Sequence, residues 1–365
     1  MPVKKSKSAD IELSAVNTRV RFEQWASNPE CQANTVSAVL NVPMGAVATS
    51  LGFENKKGAS PFAIARGLGF EGNLFSDDAA KLREALVRAE VLPEGTSGFE
   101  DFRLPKNRGT RVRTLAEAIT SSRDFLLSLS NPVAEFPSIT TGITVRLSTG
   151  RMLPEATLIL DVMTVQRGSD GRVELRVGEI KIFPDRGGHT DSTHLASARA
   201  QAGVYKQALQ EWIERENLSS SVVVSDKGFL VFTWPGSNWP VVRGNEDLRE
   251  QADRARRGFS QLDAVAEKVV DDGRTEFDPS QHIDWVAHSE TNYRETCWAF
   301  CDLAPRCQDL ALEQGRGIVL GTETARTLGT VTLYRALELL DGAHADTEFE
   351  ESLKSQLRSA DWGDN

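Results

Sequence analysis

An α/β fold, with a mixed central sheet flanked by helices, is predicted by two features of the chain. Short segments rich in Val, Ile, Leu and Thr, at 139–147, 156–166, 172–183, 221–224 and 229–234, read as strands bounded by Gly, Asp or Pro. A long helical stretch, 192–216, separates the third of these from the fourth, and helical stretches precede and follow the set. The order helix, three strands, helix, two strands fits a helix-covered sheet.

The flanking elements follow in chain order. Residues 1–10, with Lys4, Lys5 and Lys7, form a disordered basic tail, and 11–58 is an N-terminal helical segment holding Trp25 and Cys31. Ser60-Pro61 opens a helix, the serine as cap and the proline at the first helical position. This helix continues to residue 91, with an interruption at the glycines of 67–72. Residues 101–113 form a loop with Arg103, Lys106, Arg108, Arg111 and Arg113 and no acid after Asp101, and 115–129 is helical. The core thus spans 59–240. A charged C-terminal helical segment occupies 241–340, with helices at 246–271 and 323–340. Residues 341–365 hold seven acids against Lys354 and Arg358, an acidic helix or tail.

Composition bounds the function. At roughly 100–200 residues per domain, 365 residues make one large domain or two modest ones. Net charge is −10, from 42 basic and 52 acidic residues, which excludes a uniformly basic nucleic-acid coat. Binding to DNA then requires a local positive surface such as the loop after Asp101. No apolar run approaches the ~18 residues of a membrane span, and the N-terminus lacks the apolar stretch of a signal peptide. The expectation is a cytoplasmic protein with no membrane partner, whose four cysteines do not form structural disulfides. No fixed-period repeat and no phosphate-binding GxxxxGK[ST] loop is present, so the chain carries no nucleotide motor of its own.

The middle strands carry an acidic signal. Asp161 lies within Leu158-Ile159-Leu160-Asp161-Val162-Met163, where an ionised carboxylate costs several kcal/mol unless paired or metal-bound. Eighteen residues on, Val177-Gly178-Glu179-Ile180-Lys181-Ile182 puts Glu179 and Lys181 on one strand face with Val173, Leu175 and Val177. Two carboxylates beside a lysine suit metal-assisted phosphodiester hydrolysis: the acids bind Mg²⁺ or Mn²⁺ through oxygen, and the lysine orients water or stabilises developing charge. An edge-strand ion pair is the competing reading of the same residues.

Asp161 followed by Glu179-Ile180-Lys181 resembles the motif of the PD-(D/E)XK nuclease superfamily. Gln201 and Tyr205, one helical turn apart in the next helix, resemble the Gln-x-x-x-Tyr signature of its RecB-like branch. The resemblance implies a restriction-endonuclease-like core in which Asp161, Glu179 and the Ile180 carbonyl hold the metal. It implies that Lys181 positions the attacking water, and that Gln201 and Tyr205 hold the scissile strand. A further ligand from a helix before the sheet is implied as well, and Glu71, after the glycines of 67–69, is the candidate.

Three of the four cysteines, Cys297, Cys301 and Cys307, fall within eleven positions, and Cys31 stands alone near the other end. Four thiolates suit tetrahedral Zn²⁺ or a [4Fe–4S] cluster. One cysteine before the core and three after it is similar to the layout of the iron–sulfur RecB-like nucleases, the CRISPR-associated exonuclease and AddB-type families. There the cluster staples N-terminal to C-terminal helices. The C-x3-C step here departs from the more frequent C-x2-C and keeps zinc open.

The resemblance implies a DNA nuclease, exonucleolytic on single-stranded ends, acting in DNA repair, CRISPR adaptation or phage defence beside a helicase or another DNA-processing protein. The alternative is a catalytically silent nuclease fold serving as a DNA-binding or scaffold subunit. Two readings stay open for Trp234-Pro235-Gly236-Ser237-Asn238-Trp239-Pro240: stacking on unpaired bases, or closure of a core.

Overall fold

The computed structural model describes residues 21, 24, 25, 27–53, 61–103, 114–147, 157–271, 279–294 and 297–359. Lys106, Arg108, Arg111, Arg113, Ser60 and both tails (1–20 and 360–365) lie outside the described residues. The chain divides into two compact units, one built on 61–271 with residues 21–25, the other on 27–53 and 279–359.

The first unit is α/β. Its sheet runs β1 (Phe99–Asp101), β2 (Ile139–Thr141), β5 (Val162–Arg167), β6 (Val173–Pro184), β8 (Lys227–Thr233), β9 (Pro240–Asp247). The first half of β6 also pairs with β7 (Val222–Val224). β5 lies antiparallel and β8 parallel to β6, so the sheet is mixed, as expected. β3 (Thr144–Arg146) and β4 (Thr157–Ile159) form a separate antiparallel pair.

Two expected strands are each broken in two. Gly142, at φ +75°, separates β2 from β3, and a Cβ there would lie 2.5 Å from the Arg103 backbone nitrogen, so only glycine fits. Leu160 and Asp161 separate β4 from β5. Asp161 therefore sits at the bend between two sheets rather than inside an apolar strand.

Alternation along β6 divides the packing. Gly178 and Ile180 face a core of Phe70, Leu74, Leu82, Leu86, Val162, Phe229 and Val231, contributed in part by α3 (Pro61–Leu74) and α4 (Ala80–Arg88). Val173, Leu175, Val177 and Glu179 face the other side, toward α6 (Ser192–Arg215), which presents Ala198, Ala202, Tyr205 and Leu209 at helical spacing. Each such large side chain, fully buried, contributes about 1.5–3 kcal/mol.

Helix α3 does not break at its glycines. It runs unbroken to Leu74, because Phe70 and Leu74 are fully buried anchors while Gly67, Gly69 and Gly72 have open space around them. The interruption comes later, where Asp77, Asp78 and Ala79 take left-handed φ values. The sheet-bearing unit also extends past residue 240. β9 adds an antiparallel edge to β8, and α7 (Arg249–Asp271) packs along α6. Helix α5 (Leu115–Ser128) opens on a capping box in which Thr114 and Glu117 bond reciprocally.

The second unit is helical. α1 (Gln32–Leu40) and α2 (Met44–Ser50) pack on α8 (Pro279–His288), burying Val36, Val39, Val47 and Val286. α9 (Cys297–Phe300) and α10 (Ala304–Glu313) follow, then α11 (Thr322–Leu328), α12 (Leu333–Leu340) and α13 (Glu348–Ser359). Leu328, Ala336, Leu339 and Leu353 make a small core of their own, edged by Arg335 between Glu350, Glu338 and Asp346. The acidic end is thus a packed helix through Ser359. Among the described residues no helix is long and apolar enough to cross a membrane.

Candidate functional site

Five sequence-predicted residues meet in one chain of hydrogen bonds on the α6 side of the sheet. Lys181 Nζ stands 2.9 Å from Glu179 Oε1 and donates to Gln201 Oε1 at 2.7 Å. Gln201 Nε2 donates to the Tyr205 hydroxyl at 2.8 Å, and that hydroxyl donates to Asp161 Oδ1 at 3.3 Å. Asp161 Oδ2 accepts the backbone N–H of Ile180 at 3.1 Å, returning to the strand where the chain of bonds began. Glu179 and Tyr205 are fully buried, Gln201 nearly so, and the Lys181 side chain keeps 16% of its exposure.

The backbone explains why these groups converge. The bend at Leu160–Asp161 carries the aspartate across to Ile180, and the Thr141 hydroxyl fixes it by donating to the Asp161 carbonyl at 2.6 Å. Immediately after Ile180 the pairing of β6 with β8 slips before resuming at Pro184 with Thr233, a bulge of the kind that re-aims side chains. Gln201 and Tyr205, at i and i+4, lie on one face of α6.

Glu71 meets Arg103. Its Oε2 lies 3.5 Å from Arg103 Nη1, and Arg103 also pairs with Asp101 at 2.6 Å and stacks over the Phe75 ring at 4.4 Å. Of the five basic residues assigned to phosphate contact, Arg103 is the one within the described residues, and it is engaged by two acids and an aromatic ring. The Arg103 link to Glu71 gave no sequence signal, since 32 positions separate the partners.

A second buried group escaped sequence reasoning. Asp185 is fully buried just beyond β6 and accepts from Gly188 N at 2.6 Å, Thr190 Oγ1 at 3.0 Å and Arg243 Nε at 2.7 Å. Arg243 also donates to the Gly188 carbonyl. Burial pushes the Asp185 carboxyl up, but the bonds from Arg243, Gly188 and Thr190 outweigh it and hold the group below the usual aspartate range. The signal was present as Arg243 in β9, a strand read as the start of a helical region. His189 and His194 stay exposed beside this loop, His194 stacked on Phe183 at 3.9 Å.

In the helical unit, Cys31, Cys297, Cys301 and Cys307 line one pocket, with Asn34, Met44, Tyr293 and Leu303 among its walls. All four are buried, and none is joined in a disulfide. Cys31 stands just before α1, Cys297 opens α9, and Cys307 lies on α10. The two chain segments are stitched beside the pocket by Ala33 N donating to the Glu290 carbonyl at 3.0 Å and by an Arg294–Glu30 ion pair. Cys297 sulfur accepts from Asn28 Nδ2 at 3.3 Å and from the Arg294 N–H at 3.4 Å. Burial pushes the Cys301 thiol up to about 12 and the Cys307 thiol up to about 11.

By donor type, though not by a gathered set, the residues suit the groups they suggest. Asp161 and Glu179 offer hard oxygens, and Mg²⁺ commonly takes one or two carboxylates and completes its shell with water. The cysteines offer four soft sulfurs with N–H donors on one of them, as thiolate ligands have. Among the described residues no three His, Cys, Asp or Glu side chains are gathered closely enough to form a metal site unaided. No family model, curated protein or solved structure matches the chain.

Proposed function

We propose that this chain is a metal-dependent DNA nuclease of the RecB-like PD-(D/E)XK type. The observation that carries the reading is the closed run of bonds Glu179–Lys181–Gln201–Tyr205–Asp161–Ile180. An accidental E-x-K strand has no reason to meet the Gln-x-x-x-Tyr face of the following helix and an aspartate from a sheet bend. A buried glutamate whose lysine partner is itself tied to the next helix by Gln201 is costly to keep for packing alone.

In this reading Asp161, Glu179 and the Ile180 carbonyl hold Mg²⁺ or Mn²⁺, which supplies Lewis-acid activation of the scissile phosphate and of water. Glu71 would be a further ligand. Lys181 is the water-positioning residue. An ammonium has three donors, and its bonds to Glu179 and Gln201 fix the direction of the group. Water attacks phosphorus, the bond to the leaving oxygen breaks, and that oxygen takes up the proton. Gln201 and Tyr205 anchor Lys181 and Asp161 and border the path of the strand.

The four cysteines hold a [4Fe–4S] cluster, or Zn²⁺ in its place. Their role is architectural, joining the segment 28–33 to the segment 290–307. The protein works on single-stranded DNA ends beside a helicase or other DNA-processing partner, with the acidic α13 as docking element.

The test is cleavage of end-labelled single- and double-stranded DNA with Mg²⁺ or Mn²⁺, comparing the wild type with Lys181→Ala. Cleavage by the wild type and none by the variant is expected, and the label pattern reads the polarity. If neither cuts while the wild type binds DNA, the silent scaffold replaces the nuclease.

A further inference from the structure

The turn joining β8 to β9 holds two indoles at the surface of a unit that buries most of its aromatic rings. Trp234 is 53% and Trp239 is 43% exposed. The turn is rigidly built. Trp234 N donates to the Trp239 carbonyl at 2.8 Å, Ser237 N to the Trp234 carbonyl at 3.1 Å, and Trp239 N to Ser237 Oγ at 3.2 Å. Thr233 pairs with Pro240 in the ladder, so Trp234 and Trp239 are the next cross-strand pair and share one face of the ribbon. Asn73 at the end of α3 braces the tip by donating to the Asn238 carbonyl at 2.9 Å.

Position and charge identify the occupant. β8 runs parallel to β6 with Leu230 opposite Glu179 and Thr233 opposite Pro184. The turn therefore leaves the sheet at the end toward which Lys181 also lies, and ligands of such sheets gather outside the carboxyl ends of the strands. Trp234 lies four residues past Leu230, roughly 13 Å along the strand. The turn 234–240 has no charged residue, but one cation lies beside it and another touches β6 next to Lys181. Lys81 Nζ lies 5.8 Å from the Trp239 ring centroid, and Arg66, exposed on α3, reaches the Ile182 carbonyl at 3.1 Å. Aromatic faces near cations that, among the described residues, are bonded only to neutral oxygens, Lys81 to Asn73 and Arg66 to Ile182, suit a single strand, whose bases stack without sequence preference while its phosphates track positive charge. A core-closing loop would bury its tryptophans instead.

We propose that Trp234 and Trp239 form a stacking platform for unpaired bases of a nucleic-acid strand leading to the Asp161–Glu179–Lys181 site, a proposal that rests on the nuclease reading for its substrate. The strand's bases lie on the indoles, and Lys81 and Arg66 face its phosphates.

The experiment measures binding of labelled oligodeoxythymidine to the full-length protein without added divalent cation, and cleavage of the same strand with Mg²⁺ or Mn²⁺. Trp234→Ala/Trp239→Ala is expected to weaken binding at least tenfold, and Trp234→Phe/Trp239→Phe to keep it within about threefold of wild type. An abasic strand of equal charge is expected to bind the wild type as poorly as the alanine variant binds oligodeoxythymidine. Circular dichroism checks that the variants fold, which their surface position favours. Alanine and wild-type proteins binding alike overturns the platform and leaves the nuclease reading intact. Tryptophan-dependent binding with no cleavage by the wild type keeps the platform and removes the nuclease. Failure of the wild type to bind the strand overturns the platform, and absence of cleavage with it removes both.

Discussion

Lys181 Nζ lies 2.9 Å from Oε1 of Glu179, two residues earlier on the same strand, and the carboxylate it meets is fully buried. The pair is neither an exposed edge ion pair nor an isolated buried one. Gln201, at 2.7 Å, ties the ammonium to α6 and so couples the strand to the helix that covers it. A device of this kind stabilises the fold and aims a cation at the same time.

Lys181→Ala removes the cation that the buried Glu179 carboxylate meets. Breaking such a pair costs about 3–5 kcal/mol, so the variant should unfold at clearly lower urea than wild type. Glu179→Gln/Lys181→Ala removes the buried charge and should recover part of that loss without restoring cleavage. Urea titration of Lys181→Ala, Glu179→Gln and the double variant gives the coupling; losses that simply add would mean that the pair is not coupled in solution.

Tyr205→Phe keeps the ring in the core and deletes one hydroxyl that bridges Gln201 and Asp161. A lost buried bond costs about 0.5–1.5 kcal/mol in stability. With Asp161 and Lys181 both less firmly oriented, cleavage should fall at least tenfold while melting shifts little. Unchanged turnover would show that the hydroxyl only fills a core position.

Much of this site was legible because strand alternation and helical spacing are local rules. Glu179 with Lys181, and Gln201 with Tyr205, share faces by counting alone. The bends were not legible in that way. Gly142 is required at φ +75° by the approach of Arg103, a residue 39 positions earlier, and the strand pattern on either side of it looks continuous. Asp161 at the next bend was read as a buried strand residue for the same reason. β9 was missed because an edge strand tolerates Arg243, Glu246 and Asp247, so its pattern is that of a charged helix start. The glycines of α3 misled in the opposite direction. Helix breaking is only a tendency worth about 1 kcal/mol per residue, and the buried Phe70 and Leu74 override it.

Asp185 supplies a pH dependence. Its folded carboxyl is held below the unfolded value of about 3.9, so its stabilisation is complete above that pH and is lost as the pH falls through the lowered folded value. Asp185→Asn should lower stability at pH 7, since it strips the half-buried Arg243 of its counter-charge and a charge-assisted bond is worth about 1.5–3 kcal/mol. The gap between variant and wild type should narrow below pH 4. Thermal melts at pH 7 and pH 3 decide it, and a gap that widens in acid would reject the ion pair as the cause.

The cysteine pocket predicts a metal-linked stability. Cys301→Ser should abolish iron, or zinc, in anaerobically purified protein, and with it the visible absorption if the group is a cluster. Because the four cysteines line one pocket, a group held there would bridge 28–33 and 290–307, and its loss should speed amide exchange in α1 more than in the sheet. Wild-type protein with neither metal, and exchange in α1 that ignores the substitution, would leave the cysteines as plain core thiols.

Gly203 sits between Gln201 and Tyr205 in sequence but on the opposite duty, where α6 meets α7. A Cβ at this position would lie 2.4 Å from Gln251 Cβ and 2.7 Å from the Gln251 carbonyl carbon. Backbone cannot step aside as a flexible side chain does, so Gly203→Ala must push α7 away along its contact with α6. Overpacking of this kind costs about 1–3 kcal/mol, against which the better helix propensity of alanine returns about 1 kcal/mol. The expected net effect is destabilisation, read as a lower urea midpoint, with the bonds of Gln201 and Tyr205 on the sheet-facing side retained and cleavage of the folded fraction close to wild type. A midpoint equal to or above wild type would mean that the two helices are not in contact at this glycine.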